Sequence, residues 1–140
     1  MKYVSGMQAL NTNCSLVTCG DWHSTSQNWD KLYLLESDKS VFKDWGIEGP
    51  KDIPNNEKQF YVANHIRALL DFLEMGNYAL PGGMRNDYIC NEAYTPVIFE
   101  KVYELRNADN WDGIDAFMKS EYYMKWVTYC NEADKKTGMA

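Results

Sequence analysis

Cys14, Cys19 and His23 stand in a C-x4-C-x3-H spacing. A thiolate with a histidine base is a nucleophile, and the segment Cys19-Gly20-Asp21-Trp22-His23 holds both groups. Adjacent residues in one turn rarely aim at one point, so His65 is the alternative base, with Asn64 and Arg67 beside it in a polar cluster. A plainer role also fits: His23 and His65 would satisfy backbone groups between an N-terminal layer and a helix. As metal ligands the three are poorly spaced. Zinc sites use tighter pairs such as C-x2-C, and a second close pair is missing. No metal or cofactor is therefore expected, and no catalytic residue is assigned. There is no Gly-rich phosphate loop, no H-E-x-x-H and no G-x-S-x-G. The 20 carboxylates do not single out an acid–base pair.

The element that must position these residues is the stretch 57–76, EKQFYVANHIRALLDFLEMG. Val62, Ile66, Leu69 and Leu73 recur at helical spacing, with Ala63 and Leu70 beside them. This predicts a core helix with one apolar stripe, burying Val62, Ile66, Leu69, Leu70 and Leu73. Asn64, Arg67, Asp71 and Glu74 fall off the stripe. Gly76 is placed to end the helix in a left-handed conformation.

Other elements are shorter. Residues 5–10 read as a helix with Ser5 as N-cap. Residues 15–18 and 31–36 read as strands, and Cys19-Gly20-Asp21 as a turn. A brief helix is expected from Ser37 or Asp38 through Trp45, ended by Gly46. Residues 49–56 read as a loop, 78–83 as a turn around Pro81, and 84–90 as a second strand. Thr95-Pro96 is a helix start, leading through Val97, Ile98, Val102 and Leu105 to Asn107. Asp112 would cap a helix carrying Ile114, Phe117 and Met118. Ser120 would cap the last one, with Tyr123, Met124, Val127 and Cys130 inward. The fold class expected is a predominantly helical α+β single domain, 1–140, of four to five helices with at most a small sheet. A polar tail from about 131 is expected to fray.

Composition narrows the function. The 140 residues are 45% hydrophobic, enough for a real core. No apolar run approaches the ~20 residues of a membrane helix, and residues 1–13 do not form a secretory signal. A cytoplasmic location, free thiols and no membrane role are the expectations. The net charge of −6 argues against direct nucleic-acid binding, which needs a basic face. It suits solubility, or a partner that is itself basic. Five tryptophans and ten tyrosines exceed what a small core requires. They would serve as interface anchors, or fill a loop-rich interior.

At Cys19 to His23 the chain also resembles a known group. Met1-Lys2-Tyr3-Val4-Ser5-Gly6, Ala9-Leu10-Asn11, Cys19-Gly20-Asp21-Trp22-His23 and Ala63-Asn64-His65-Ile66-Arg67-Ala68-Leu69-Leu70 together resemble small bacterial proteins encoded beside nucleotidyltransferase toxins of the abortive-infection type. The resemblance covers the N-terminal layer and core helix well and the rest loosely. It brings no assigned chemistry. It implies an antitoxin or inhibitor in a toxin–antitoxin or phage-defence system, acting by direct protein–protein binding. The partner would be a nucleotidyltransferase-type toxin or another basic nucleic-acid enzyme. The alternatives are a small enzyme or toxin using Cys19 to His23 with the cluster around His65, or a phage-encoded inhibitor of host defence. On physical grounds the expected partner-binding residues are Asp21, Trp22, His23, Asn64, His65 and Arg67. Gly20 lets a turn present Trp22, and tryptophan and arginine dominate many interfaces.

Overall fold

The computed structural model describes residues 1–18, 27–87 and 89–138. Cys19 to His23 lie outside these, as does Tyr88 at the centre of the strand expected over 84–90.

Four short strands form one mixed sheet: β1 (Lys2–Val4), β2 (Leu34–Glu36), β3 (Ile47–Lys51) and β4 (Phe60–Ala63), in the order β2-β1-β4-β3. β1 runs antiparallel to β2, pairing Tyr3 with Leu35, and parallel to β4, pairing Val4 with Val62. β3 runs antiparallel to β4, with a register shift between Glu48 and Lys51. Gly49-Pro50 thus lies in a strand and not in the loop expected over 49–56. As an edge strand, β3 can accommodate a proline that offers no N–H.

Six helices are described: α1 (Gly6–Leu10), α2 (His65–Glu74), α3 (Met84–Asp87), α4 (Thr95–Tyr103), α5 (Trp111–Tyr122) and α6 (Met124–Lys136). The chain is an α+β single domain with 46% helix, four of the helices having seven or more residues. α1 packs on α2, α4 packs on α2, and α6 packs on α4 and α5. One continuous core joins Val4 of β1, Leu10 of α1, Val62 of β4, Ile98 of α4, Ile114 of α5 and Trp126 of α6.

The core helix begins later than its periodicity predicts. Phe60 to Ala63 is strand, and Asn64 caps the helix by accepting from the Arg67 N–H at 2.8 Å. Two aromatics and a valine favour the pleated form when a sheet is available to receive them. The apolar stripe itself holds: Val62, Ile66, Leu69, Leu70 and Leu73 are each at most 1% exposed. Gly76 sits at φ +81° and its N–H returns to the Leu73 carbonyl, ending the helix as the glycine predicts.

Several shorter expectations are corrected. Residues 15–18 form no strand, and a single 3-10 turn (Ser37–Lys39) replaces the helix expected through Trp45. Met84–Asp87 is a helix, not a strand. Ser5 precedes α1 but makes no cap; its hydroxyl is drawn instead to Asp71. Ser120 lies inside α5, and the break comes at Tyr123, with φ +53°. Consequently Tyr123 and Met124 point outward, 69% and 67% exposed, and Trp126 takes the inward place. The tail is helical to Lys136.

Gly46 is required by a close approach. At φ +77°, an added Cβ would lie 2.8 Å from Arg67 Cβ and 3.3 Å from Asn64 Oδ1. Its carbonyl accepts from the Asn64 N–H at 2.7 Å, so this turn fixes the start of α2. Gly46→Ala is expected to cost about 1–3 kcal/mol in chemical denaturation. A variant as stable as the parent would show that the turn can relax away from α2.

Candidate functional site

The polar residues at the head of α2 face the interior. Asn64, His65 and Arg67 are 7%, 3% and 0% exposed. The expectation that they present a partner-binding surface is therefore corrected: each spends its polar groups inside the fold. Asp21, Trp22 and His23, expected on the same surface, lie outside the described residues.

Arg67 is the centre of a buried network. Its Nε donates to Asp71 Oδ1 at 2.9 Å, and its Nη2 to the Tyr3 hydroxyl at 3.0 Å. Nη1 donates to the carbonyls of Lys43 and Trp45. The guanidinium lies over the rings of Tyr3 and Phe42, at 5.0 and 5.7 Å. Asp71 Oδ2 accepts from the Tyr3 hydroxyl at 2.8 Å and from Ser5 Oγ at 2.6 Å. Burial pushes the Asp71 carboxyl above its ordinary range, opposed by Arg67 and by the two hydroxyls. Burial and the Asp71 charge push the Tyr3 phenol well up. This network joins β1, the 43–45 turn and α2. Its role is structural.

His65 belongs to a second cluster. Its Nε2 is 2.9 Å from the Thr12 carbonyl, which only accepts, so Nε2 carries the proton in the neutral ring. Its Nδ1 meets Thr18 Oγ1. Cys14, half-buried and free, belongs to the same loop between Thr12 and Thr18. Burial disfavours the thiolate, but His65 and the N–H groups of His65 and Leu16 outweigh it and hold the thiol below its ordinary range. Burial likewise opposes the imidazolium, but Cys14 and the Thr12 carbonyl carry His65 upward. Among the described residues Cys14 is the thiol whose titration His65 influences. Sequence spacing had offered Cys14 only as part of a metal set. Among the described residues no group of three or more His, Cys, Asp or Glu side chains is placed to hold a metal.

A third feature was not anticipated. An open groove of about 670 Å³ runs between α4 and α6, lined by Pro96, Phe99, Met124 and Tyr129, with Glu92 and Glu132 among its edges. Among the described residues Lys125 is the one cation lining it. Burial, then the charge of Glu100, pushes the Tyr129 phenol up. Lys101 is engaged elsewhere, paired with Glu104 at 3.2 Å and lying over the Trp45 ring at 4.7 Å. The exposed Tyr123 directly precedes Met124 of the groove lining, on a backbone conformation that a bulky side chain rarely adopts.

Comparison with protein-family models, with curated proteins and with solved structures finds no match for this chain. Among the described residues no helix is long and apolar enough to cross a membrane.

Proposed function

We propose that this chain is a small acidic interaction protein, an antitoxin or inhibitor that binds a basic partner enzyme through the α4–α6 groove. The observation that carries the reading is the Tyr123-Met124 corner. Two large side chains, 69% and 67% exposed, are held outward by a strained residue beside an apolar groove edged with acids. An apolar patch rimmed by charge is the form of a recognition surface. Phe99, Met124 and Tyr129 suit the apolar face of an amphipathic segment, and Glu92 and Glu132 suit lysines or arginines flanking it. A nucleotidyltransferase-type enzyme is a fitting source, because an enzyme that handles nucleic acid carries basic surface. The net charge of −6 would speed the encounter and make it weaken with salt.

The test looks beside the gene of this chain for a nucleotidyltransferase, purifies it and titrates it with this chain by calorimetry, alongside inhibition of nucleotide transfer; a neighbourhood with no such gene counts against the reading. Met124→Glu and Glu132→Lys are surface changes and are expected to leave the melting temperature unchanged. Each is expected to weaken binding at least tenfold, about 1.4 kcal/mol. If the parent protein neither binds nor inhibits that enzyme, the reading is wrong. If it binds and both variants bind equally well, the groove is the wrong surface.

A further inference from the structure

We propose that a cleft between α5 and α6 is a binding site for a free α-amino acid with an apolar side chain, held as its zwitterion between Arg106 and Asp134. The inference goes beyond the binding reading and does not depend on it, because no residue lining this cleft lines the α4–α6 groove.

The cleft follows from helical spacing. Trp111, Asp115 and Lys119 recur every four residues along α5. Val127, Cys130 and Asp134 recur at steps of three and four along α6. Each trio therefore shares one face of its helix, and the two helices pack on each other. Tyr103, the last residue of α4, and Arg106 just beyond it complete the lining of a cavity of about 240 Å³. That is below the size of pockets that take drug-sized molecules, and it suits a single amino acid.

The charges that line the cavity do not all cancel in place. Asp115 is spent: its Oδ1 accepts from Trp126 Nε1 at 2.8 Å, and its Oδ2 pairs with Lys119 at 3.0 Å. Arg106 and Asp134 are not. Among the described residues neither enters an ion pair, with the other or with any further group. Both are instead positioned by the buried Tyr103. Its ring lies 4.6 Å from the Arg106 guanidinium, and its carbonyl accepts from Arg106 Nη1 at 3.2 Å. Its hydroxyl donates to Asp134 Oδ1. One tyrosine thus holds a cation and a carboxylate at the same small cavity, each without a charged partner.

That pattern selects the ligand by charge. An oxyanion would meet Asp134, and a polyamine would meet Arg106. A zwitterion gives each its opposite. The ligand carboxylate accepts from two N–H donors of Arg106 that Tyr103 does not use, and the ligand ammonium donates to Asp134. The ligand side chain is left to the apolar part of the lining, Trp111 and Val127. Burying a charged side chain there without a partner would be costly, so leucine, valine or methionine is preferred over a charged amino acid.

The experiment adds L-leucine, L-valine and L-methionine to the full nitrogen-15-labelled chain and follows its amide spectrum. Isocaproate and isoamylamine serve as leucine analogues that lack the ammonium and the carboxylate. Leucine is expected to bind saturably, shifting amides in 103–111 and 127–134, and each analogue to bind at least tenfold more weakly. Arg106 and Asp134 are exposed, so Arg106→Gln and Asp134→Asn are expected to keep the parent's spectrum away from the cleft. Arg106→Gln should abolish the advantage of leucine over isoamylamine, and Asp134→Asn its advantage over isocaproate. No saturable shift with any of the three amino acids up to about 10 mM, or analogues that bind as well as leucine, overturns the proposal with no variant needed. Variants in which leucine keeps its full advantage overturn the assignment of these two residues as the charged ends of the site.

Discussion

Arg67→Met is expected to lose about 3–5 kcal/mol of folding stability at neutral pH, measured by urea unfolding followed by circular dichroism. Methionine nearly conserves the volume, so the loss reports the charge and the hydrogen bonds. Arg67 is fully buried and its partner Asp71 is 3% exposed, so removing the cation leaves a carboxylate in the interior. The carbonyls of Lys43 and Trp45 lose their donor as well. Arg67→Lys should rescue little, because one ammonium cannot reach the Asp71, Tyr3 and carbonyl positions that the guanidinium fork spans. Replacing Asp71 as well, in Arg67→Met/Asp71→Leu, should recover only part of the loss. It removes the unpaired charge but leaves the Tyr3 and Ser5 hydroxyls without their acceptor.

The same variant carries a pH signature. In the parent, burial already raises the Asp71 carboxyl above its unfolded value, and Arg67 opposes that rise. Without Arg67 the rise is larger. A carboxyl whose folded value lies above its unfolded one binds its proton more tightly when folded. Its stability contribution is therefore present at low pH and lost as pH climbs through the folded value. The gap between variant and parent is expected to narrow from pH 7 toward pH 4. A gap that widens there, or a loss under 1 kcal/mol at pH 7, would mean that Arg67 is not what holds β1, the 43–45 turn and α2 together.

The apolar half of this arrangement was legible in the sequence, and the polar half was not. Val62 to Leu73 could be assigned to the core because burial follows a helical period that any window reveals. The start of α2 was misplaced because Phe60-Tyr61-Val62-Ala63 is one apolar run, and such a run fits strand or helix equally well. What settles it is pairing with β1, distant in sequence, and with β3 across the 52–59 connection. Arg67 and Asp71 looked like a solvent face for a similar reason. Their partners are Tyr3, Ser5 and the carbonyls at 43 and 45, and no local pattern announces a buried ion pair. His65 shows the same limit. It could be named as a base from its type and position. Its ring nitrogens go to the Thr12 carbonyl and the Thr18 hydroxyl, and spacing alone does not give that. Tyr123 was assigned inward because the helical period runs unbroken through it. A left-handed tyrosine is rare enough that no propensity anticipates it.

Trp126→Ala is expected to cost about 3–5 kcal/mol in the same unfolding measurement. Trp126 is fully buried on α6, and it is the residue through which α4, α5 and α6 meet. Its ring meets Phe99 of α4 edge-on at 5.2 Å, Trp111 of α5 at 6.1 Å and Tyr129 one turn along at 5.9 Å, the last nearly parallel. Its Nε1 donates to Asp115 of α5 at 2.8 Å. Truncation removes a large apolar volume from a place where three helices are held apart by their own rings, so collapse of the cavity is limited and the cost stays high. Trp126→Phe separates the two contributions. It keeps most of the ring packing and loses the hydrogen bond, and should cost about 1–2 kcal/mol. The consequence reaches the proposed binding groove, since Phe99 and Tyr129 line it and both lean on Trp126. Trp126→Phe is therefore expected to keep partner affinity within about threefold, while Trp126→Ala weakens it even at temperatures where the variant remains folded. If Trp126→Ala unfolds within 1 kcal/mol of the parent, α6 is held by its other contacts and Trp126 is not the joint between these helices.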